Sequence, residues 1–134
     1  MNTLVQPRMD RALRQAFLLD AMATGGMGCG LAVGADVLQP WLGLPVVVLR
    51  EAGILCVAFA LYLAFVLSRT EVRPGMVRVA IGVNVAWILA SFALLAFASI
   101  EPTVLGTVFV IAQALTVFVF TELQYLAAKR ASLL

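Results

Sequence analysis

From residue 16 onward the chain is dominated by four long apolar runs, separated by short polar or proline-containing stretches. Each run reaches the roughly 20 residues that an α-helix needs to cross the hydrocarbon core of a bilayer. The pattern predicts spans over 16–35, 46–68, 76–98 and 103–127. Gln39-Pro40-Trp41-Leu42-Gly43-Leu44-Pro45 separates the first two, and Pro45 suits the first turn of a helix. Arg73-Pro74-Gly75 and Glu101-Pro102 mark the other two breaks, with Pro102 again at a helix start. Connections this short place sequential helices side by side. The expected fold is therefore an all-α membrane protein, an up-down antiparallel bundle of four transmembrane helices forming one domain over 16–127. A basic segment, 1–15, precedes it and a short tail, 128–134, follows. The leading segment reads either as an interfacial helix, with Met9, Ala12, Leu13 and Ala16 on one side, or as a flexible tail.

Composition agrees with lipid as the main solvent. Of the 134 residues 63% are hydrophobic and only 12% charged, with a mean hydropathy of +1.07. Soluble domains carry roughly twice that charge. The formal charge of +2 gives no basis for binding nucleic acid, so the position of each charge matters more than the sum. Eight of the nine Lys and Arg residues fall on one side of the predicted bundle: Arg8, Arg11, Arg14, Arg69, Arg73, Arg78, Lys129 and Arg130. Basic flanks stay in the cytoplasm, which predicts an inner-membrane protein with both termini cytoplasmic. Asp36 and Glu101 lie on the opposite side, where Arg50 is the exception. Trp41 suits the outer headgroup region and Tyr125 the inner one. Arg8, Arg11 and Arg14 before an apolar run, with Val33-Gly34-Ala35 as a cleavage-like site, resemble a secretory signal. Asp20 and five glycines make a poor signal core, so the first span is read as retained.

Two kinds of residue stand out within the spans. The first kind is small. Membrane helices associate by close packing and a few polar contacts, because lipid tails are as apolar as leucine. Gly26, Gly30 and Gly34 form a doubled G-x-x-x-G on one face of the first span. In the third span Gly82, Ala86, Ala90 and Ala93 share one side, and Asn84, Trp87, Ser91 and Ala98 share the other. The second span has Gly53, Cys56, Ala60 and Ala64 on one face. These faces predict helix contacts, including contacts with a second chain. The glycine-rich run at 25–30 has neither the preceding strand nor the Lys-Ser/Thr of a phosphate loop.

The second kind is polar. Intramembrane ionisable groups are costly and mark candidate sites. Asp20 and Asn84 each lie six residues past a basic flank, and Tyr62 and Glu122 each lie seven before one. All four then sit about 9–10 Å along their helices from that flank, a candidate polar layer that would hold a proton, a cation or a polar lipid group. The same depth is also where snorkelling arginines place the headgroup boundary. Asn84 and Gln113 are expected to hydrogen bond between helices, and Arg50 to snorkel outward or to meet a lipid phosphate or a partner carboxylate. Cys29 and Cys56 are far apart, in neither a redox nor a zinc spacing, and are expected to pack as small apolar residues. Histidine is absent, which removes the commonest metal ligand and general base. No catalytic residue, metal or cofactor is predicted.

Leu42-Gly43-Leu44-Pro45, Leu49-Arg50, Asn84 with Trp87, and Glu122-Leu123-Gln124-Tyr125 together resemble a group of small four-span bacterial membrane proteins. That resemblance covers nearly the whole chain and brings no activity with it. Small multidrug-resistance transporters share the size, the span count, an acidic residue in the first span and a tryptophan in the third. Asp20 does not reproduce the local pattern around their glutamate. The sequence thus predicts a non-enzymatic accessory or structural subunit that packs against another membrane protein or itself. A small oligomeric proton- or cation-coupled transporter using Asp20 is the alternative, and an enzyme acting on lipid or quinone ranks third.

Overall fold

The computed structural model describes residues 9–97 and 99–134. It contains four α-helices and, among the described residues, no strand: α1 (Arg11–Leu42), α2 (Val46–Ser68), α3 (Pro74–Phe97) and α4 (Val104–Arg130). All four are long and apolar enough to cross a membrane. The exterior is apolar too, with Val33, Phe97 and Val104 each more than four-fifths exposed. An aqueous monomer does not tolerate such a surface. The chain is a multi-pass helical membrane protein.

Local chemistry sets the helix ends. Asp10 caps α1 by accepting the Leu13 backbone N–H at 2.8 Å. This helix begins well before the expected span, and Leu13, Ala16 and Phe17 are buried in the bundle. From Arg11 onward the leading segment is continuous with α1, while residues 1–8 lie outside the described residues. At its other end α1 continues through Pro40, which the break at 39–45 did not anticipate. Proline removes its bond to the residue four before and crowds that carbonyl, a disruption confined to the helix end because α1 stops within one turn. Gly43 ends it in the left-handed region (φ 66°), its N–H returning to the Gln39 carbonyl. Pro74 is the first residue of α3, Pro45 immediately precedes α2, and Thr103 rather than Pro102 caps α4. Ala98, expected on the polar side of α3, lies outside the described residues.

The helices do not pack in simple sequence order. α1 packs on α2 and on α4, and α4 packs on α3. The start of α1 meets the end of α4 in an apolar cluster of Leu13, Phe17, Ala127 and Ala128, closed by Leu133, which folds back beyond α4. At the other end Thr103 ties α4 to the end of α1: its hydroxyl donates to the Trp41 carbonyl at 2.6 Å and its N–H to that of Leu42 at 3.1 Å. A Cβ on Gly106 would run into the Leu42 carbonyl, so glycine is required there. α2 and α3, though adjacent in sequence, meet mainly near their short link. There Leu63, Val66, Val72 and Val77 are buried together and the Tyr62 hydroxyl donates to the Met76 carbonyl at 2.8 Å. Beyond Phe59 and Val83 the two helices part and leave a cleft.

Candidate functional site

Asp20 lies at the centre of the molecule, fully buried (0% exposed), between the two apolar clusters. Thr24, one turn further along α1, donates its hydroxyl to Asp20 Oδ1 at 2.8 Å. Asn84 on α3 and Gln124 on α4 donate their amide N–H groups to Asp20 Oδ2, at 2.7 and 2.6 Å. Asn84 Nδ2 also donates to Gln124 Oε1 at 3.2 Å. Three helices therefore converge on one carboxyl group. The only ion pair among the described residues is Arg50 with Asp36, far from this point, so Asp20 is held by neutral donors alone. Donors aimed at a carboxylate offset part of the cost of removing it from water.

A second polar group lies farther along α3 and α4. The Trp87 indole N–H donates to Gln113 Oε1 at 2.8 Å, and Gln113 Nε2 donates to Ser91 Oγ at 2.9 Å. Ser91 in turn donates to the Trp87 carbonyl at 2.8 Å. Helix geometry explains the alignment: Asn84, Trp87 and Ser91 are spaced i, i+3, i+7, and the eleven residues from Gln113 to Gln124 return to within about 20° of the same face. Every side-chain nitrogen or oxygen shut off from the exterior among the described residues has a partner. Polar groups at membrane depth demand this completeness.

The polar layer expected from the sequence is only half assembled. Asp20 and Asn84 meet as partners. Tyr62 instead serves the α2–α3 link, and Glu122 points outward and is exposed. Gln124, two residues on and about 200° round the helix, takes the inward place. Thr24 and Gln124 were missed, although the eleven-residue spacing from Gln113 was a signal for Gln124. Arg50 meets a carboxylate within the chain: Asp36 of α1 lies 2.7 Å from its Nη2.

The small-residue faces are also rearranged. Nothing lies within 4 Å of a Cβ built on Gly26 or Gly30, and at Gly34 only Leu38 of the same helix does. The α1–α2 contact uses Gly28 and Gly53 instead, and Gly28 lies on nearly the opposite side of α1 from Gly26 and Gly30. A Cβ on Gly28 would stand 2.8 Å from both Cys56 Cβ and the Gly53 carbonyl oxygen. Cys56 is buried in that seam, whereas Cys29 is exposed. Gly82, Ala86 and Ala90 likewise face outward rather than into a neighbouring helix, and Ala86 and Ala90 border the α2–α3 cleft.

That cleft, open on one side, has a volume of about 330 Å³. Leu55 and Phe59 form one wall and Val83 and Ala86 the other, with Thr24 and Asn84 among the residues at its floor. A further hollow of about 170 Å³, toward Leu44 and Phe109, shares Met27, Trp87 and Ala90 with it. The cleft thus leads from the apolar exterior to two of the residues that hold Asp20. Among the described residues no cluster of His, Cys, Asp or Glu is suited to a metal ion. Compared with known proteins, the chain matches no family model, no curated protein and no solved structure.

Proposed function

We propose that this protein is a non-enzymatic subunit of a membrane assembly, an up-down antiparallel four-helix bundle that packs against another membrane protein or a second copy of itself. It sits in the inner membrane with both termini on the cytoplasmic side, as the distribution of its basic residues supports. The carrying observation is the outward face of α1. Glycine in a helix costs about 1 kcal/mol relative to alanine, so it needs a compensating reason. At Gly28, Gly53 and Gly106 the reason is a backbone from another helix or its end. Gly26 and Gly30, one turn apart on α1, have no such neighbour among the described residues. In lipid, bare backbone on a helix face favours the close approach of another helix. Replacing Gly30 with leucine should dissociate the assembly and leave the fold intact. Gentle extraction from native membrane, followed by measurement of mass and co-purifying chains, tests this. A wild-type protein that emerges as a lone monomer would sink the proposal.

A second reading rests on Asp20. A buried carboxyl group with no cation beside it, next to a cleft, is the arrangement a small proton- or cation-coupled transporter would need. Asp20→Asn preserves the shape and removes the charge. Unchanged flux in proteoliposomes carrying that variant would exclude Asp20 from such a role. Flux lost while the fold persists would favour transport over a purely structural part.

A further inference from the structure

The floor of the α2–α3 cleft has spent its strong hydrogen-bond donors. Both hydrogens of Asn84 Nδ2 are committed, to Asp20 and Gln124. The Thr24 hydroxyl hydrogen goes to Asp20, and the Trp87 indole N–H goes to Gln113. Turning the Asn84 amide round would set its oxygen against the Asp20 carboxylate, so the network fixes which atom points where. What remains to Asn84 is the carbonyl oxygen Oδ1, which receives no donor among the described residues. Because every shut-off side-chain oxygen or nitrogen is partnered, Oδ1 is the atom through which this residue, only 3% exposed, meets the cleft. An otherwise apolar cleft thus presents one acceptor that no donor among the described residues meets.

Size and depth narrow the occupant. One turn of helix, about 10 Å across and 5.4 Å tall, fills more than about 400 Å³. The cleft, at about 330 Å³ and open on one side, does not take one between its walls. At about 30 Å³ for a group the size of a water molecule, it takes a single chain of roughly ten methylenes. Asn84 lies ten residues into α3, about 15 Å from the helix start, where a phosphate headgroup would have to shed its water. An ammonium group faces the same cost, because the Asp20 oxygens already accept three hydrogen bonds and do not line the cleft.

We infer that the α2–α3 cleft binds a neutral single-chain lipid alcohol, its hydroxyl donating to Asn84 Oδ1 and its chain lying between Leu55 and Phe59 on one side and Ala86 on the other. This inference goes beyond the subunit reading and is independent of it, since the cleft and the Gly26–Gly30 face use different surfaces.

The test uses the full chain in phospholipid nanodiscs with a photoreactive diazirine analogue of hexadecanol, mapping labelled peptides by mass spectrometry. Labelling should be saturable and confined to the segments around Phe59 and Ala86. Unlabelled hexadecanol should compete about tenfold better than its methyl ether, which keeps the chain and loses the donor. Ala86→Phe, which fills the cleft without touching the polar network, should abolish labelling while leaving the melting temperature unchanged. Equal competition by the ether would overturn the proposal. So would stronger competition by hexadecylamine, which marks a cation site, or unsaturable labelling, which marks bulk lipid occupying the cleft. The ether comparison uses wild-type protein and therefore decides the matter even if the filled variant fails to fold.

Discussion

The α1–α2 seam and the α3–α4 seam solve the same problem by different means. Water does not drive helices together inside lipid, so contact must come from close packing or from hydrogen bonds. α1 and α2 use the first. Gly28 and Gly53 bring the two backbones together, and the seam's one polar contact between side chains, Arg50 with Asp36, lies at its exposed end. α3 and α4 use the second, with Asn84 bonded to Gln124 and Trp87 and Ser91 bonded to Gln113. One seam should therefore be sensitive to added volume and the other to altered chemistry at constant volume. Asp20 joins them, since it belongs to α1 and accepts from α3 and α4.

The largest effect is expected at Gly53. A Cβ there would run into the Ala32 backbone nitrogen and stand 2.7 Å from the Gly28 carbonyl oxygen, and backbone atoms of a packed helix cannot step aside. Gly53→Leu should cost more than about 4 kcal/mol and prevent stable folding, read as loss of a cooperative transition in denaturant titration. A well-folded Gly53→Leu protein would show that the seam is loose and would remove the contrast.

Next comes Asp20. Asp20→Ala removes the shared acceptor and strands donors on Thr24, Asn84 and Gln124, for a loss of about 3 kcal/mol. Asp20→Asn should lose only about 1 kcal/mol, because its carbonyl oxygen still receives the two amides and its N–H₂ can donate to the Thr24 oxygen. Thermal unfolding of both variants in the same detergent gives the ratio. Equal losses would mean that the charge, not the hydrogen-bond geometry, holds the centre together.

These two sites also show how much was legible beforehand. Four spans could be read because apolar length is a strong signal, and the ends of α2, α3 and α4 could be read to within a few residues, whereas α1 runs on past both of its expected ends. Asp20 and Asn84 were recognisable because polar groups are conspicuous at membrane depth. Their companions were harder to see. Glu122 attracts attention by its charge, but Gln124 lies on the α4 face with Ala114, Val117 and Thr121, and only that helical phase identifies it. The α1 glycines pose the converse difficulty. A doubled G-x-x-x-G marks a face fit for close approach without saying which helix approaches, and here α2 took nearly the opposite face through Gly28. Neighbour order was legible in part: α1 packs on α2 and α3 on α4 as short loops imply, whereas α2 and α3 part beyond their link.

A smaller loss is expected at Gln113. Leucine is close to it in volume, so Gln113→Leu tests chemistry alone. Trp87 loses its acceptor and Ser91 its donor, though both can still meet the cleft lining or their own helix. Membrane hydrogen bonds of this kind average well under 2 kcal/mol, and about 1 kcal/mol is expected here. The indole emission, recorded with Trp41 replaced by phenylalanine, should shift to shorter wavelength as Trp87 loses its polar partner. A variant as stable as wild type with unaltered emission would mean that packing, not hydrogen bonding, joins α3 to α4.

The smallest effect is predicted at the one place where the α1–α2 seam carries charge. Arg50 and Asp36 are 2.7 Å apart, but their side chains are 43% and 73% exposed. Two long side chains lose freedom to hold that geometry, and solvent or headgroups compete for both ends. Arg50→Ala should therefore cost no more than about 0.5 kcal/mol, and added salt should erase even that. The comparison needs this near-silence. If the seam is held by backbone proximity at Gly28 and Gly53, removing its only ion pair leaves the stabilising contact intact. A loss of 2 kcal/mol or more at Arg50→Ala, on a scale where about 1.4 kcal/mol is tenfold, would mean that α1 and α2 also depend on a polar tie. The two seams would then differ in degree and not in kind.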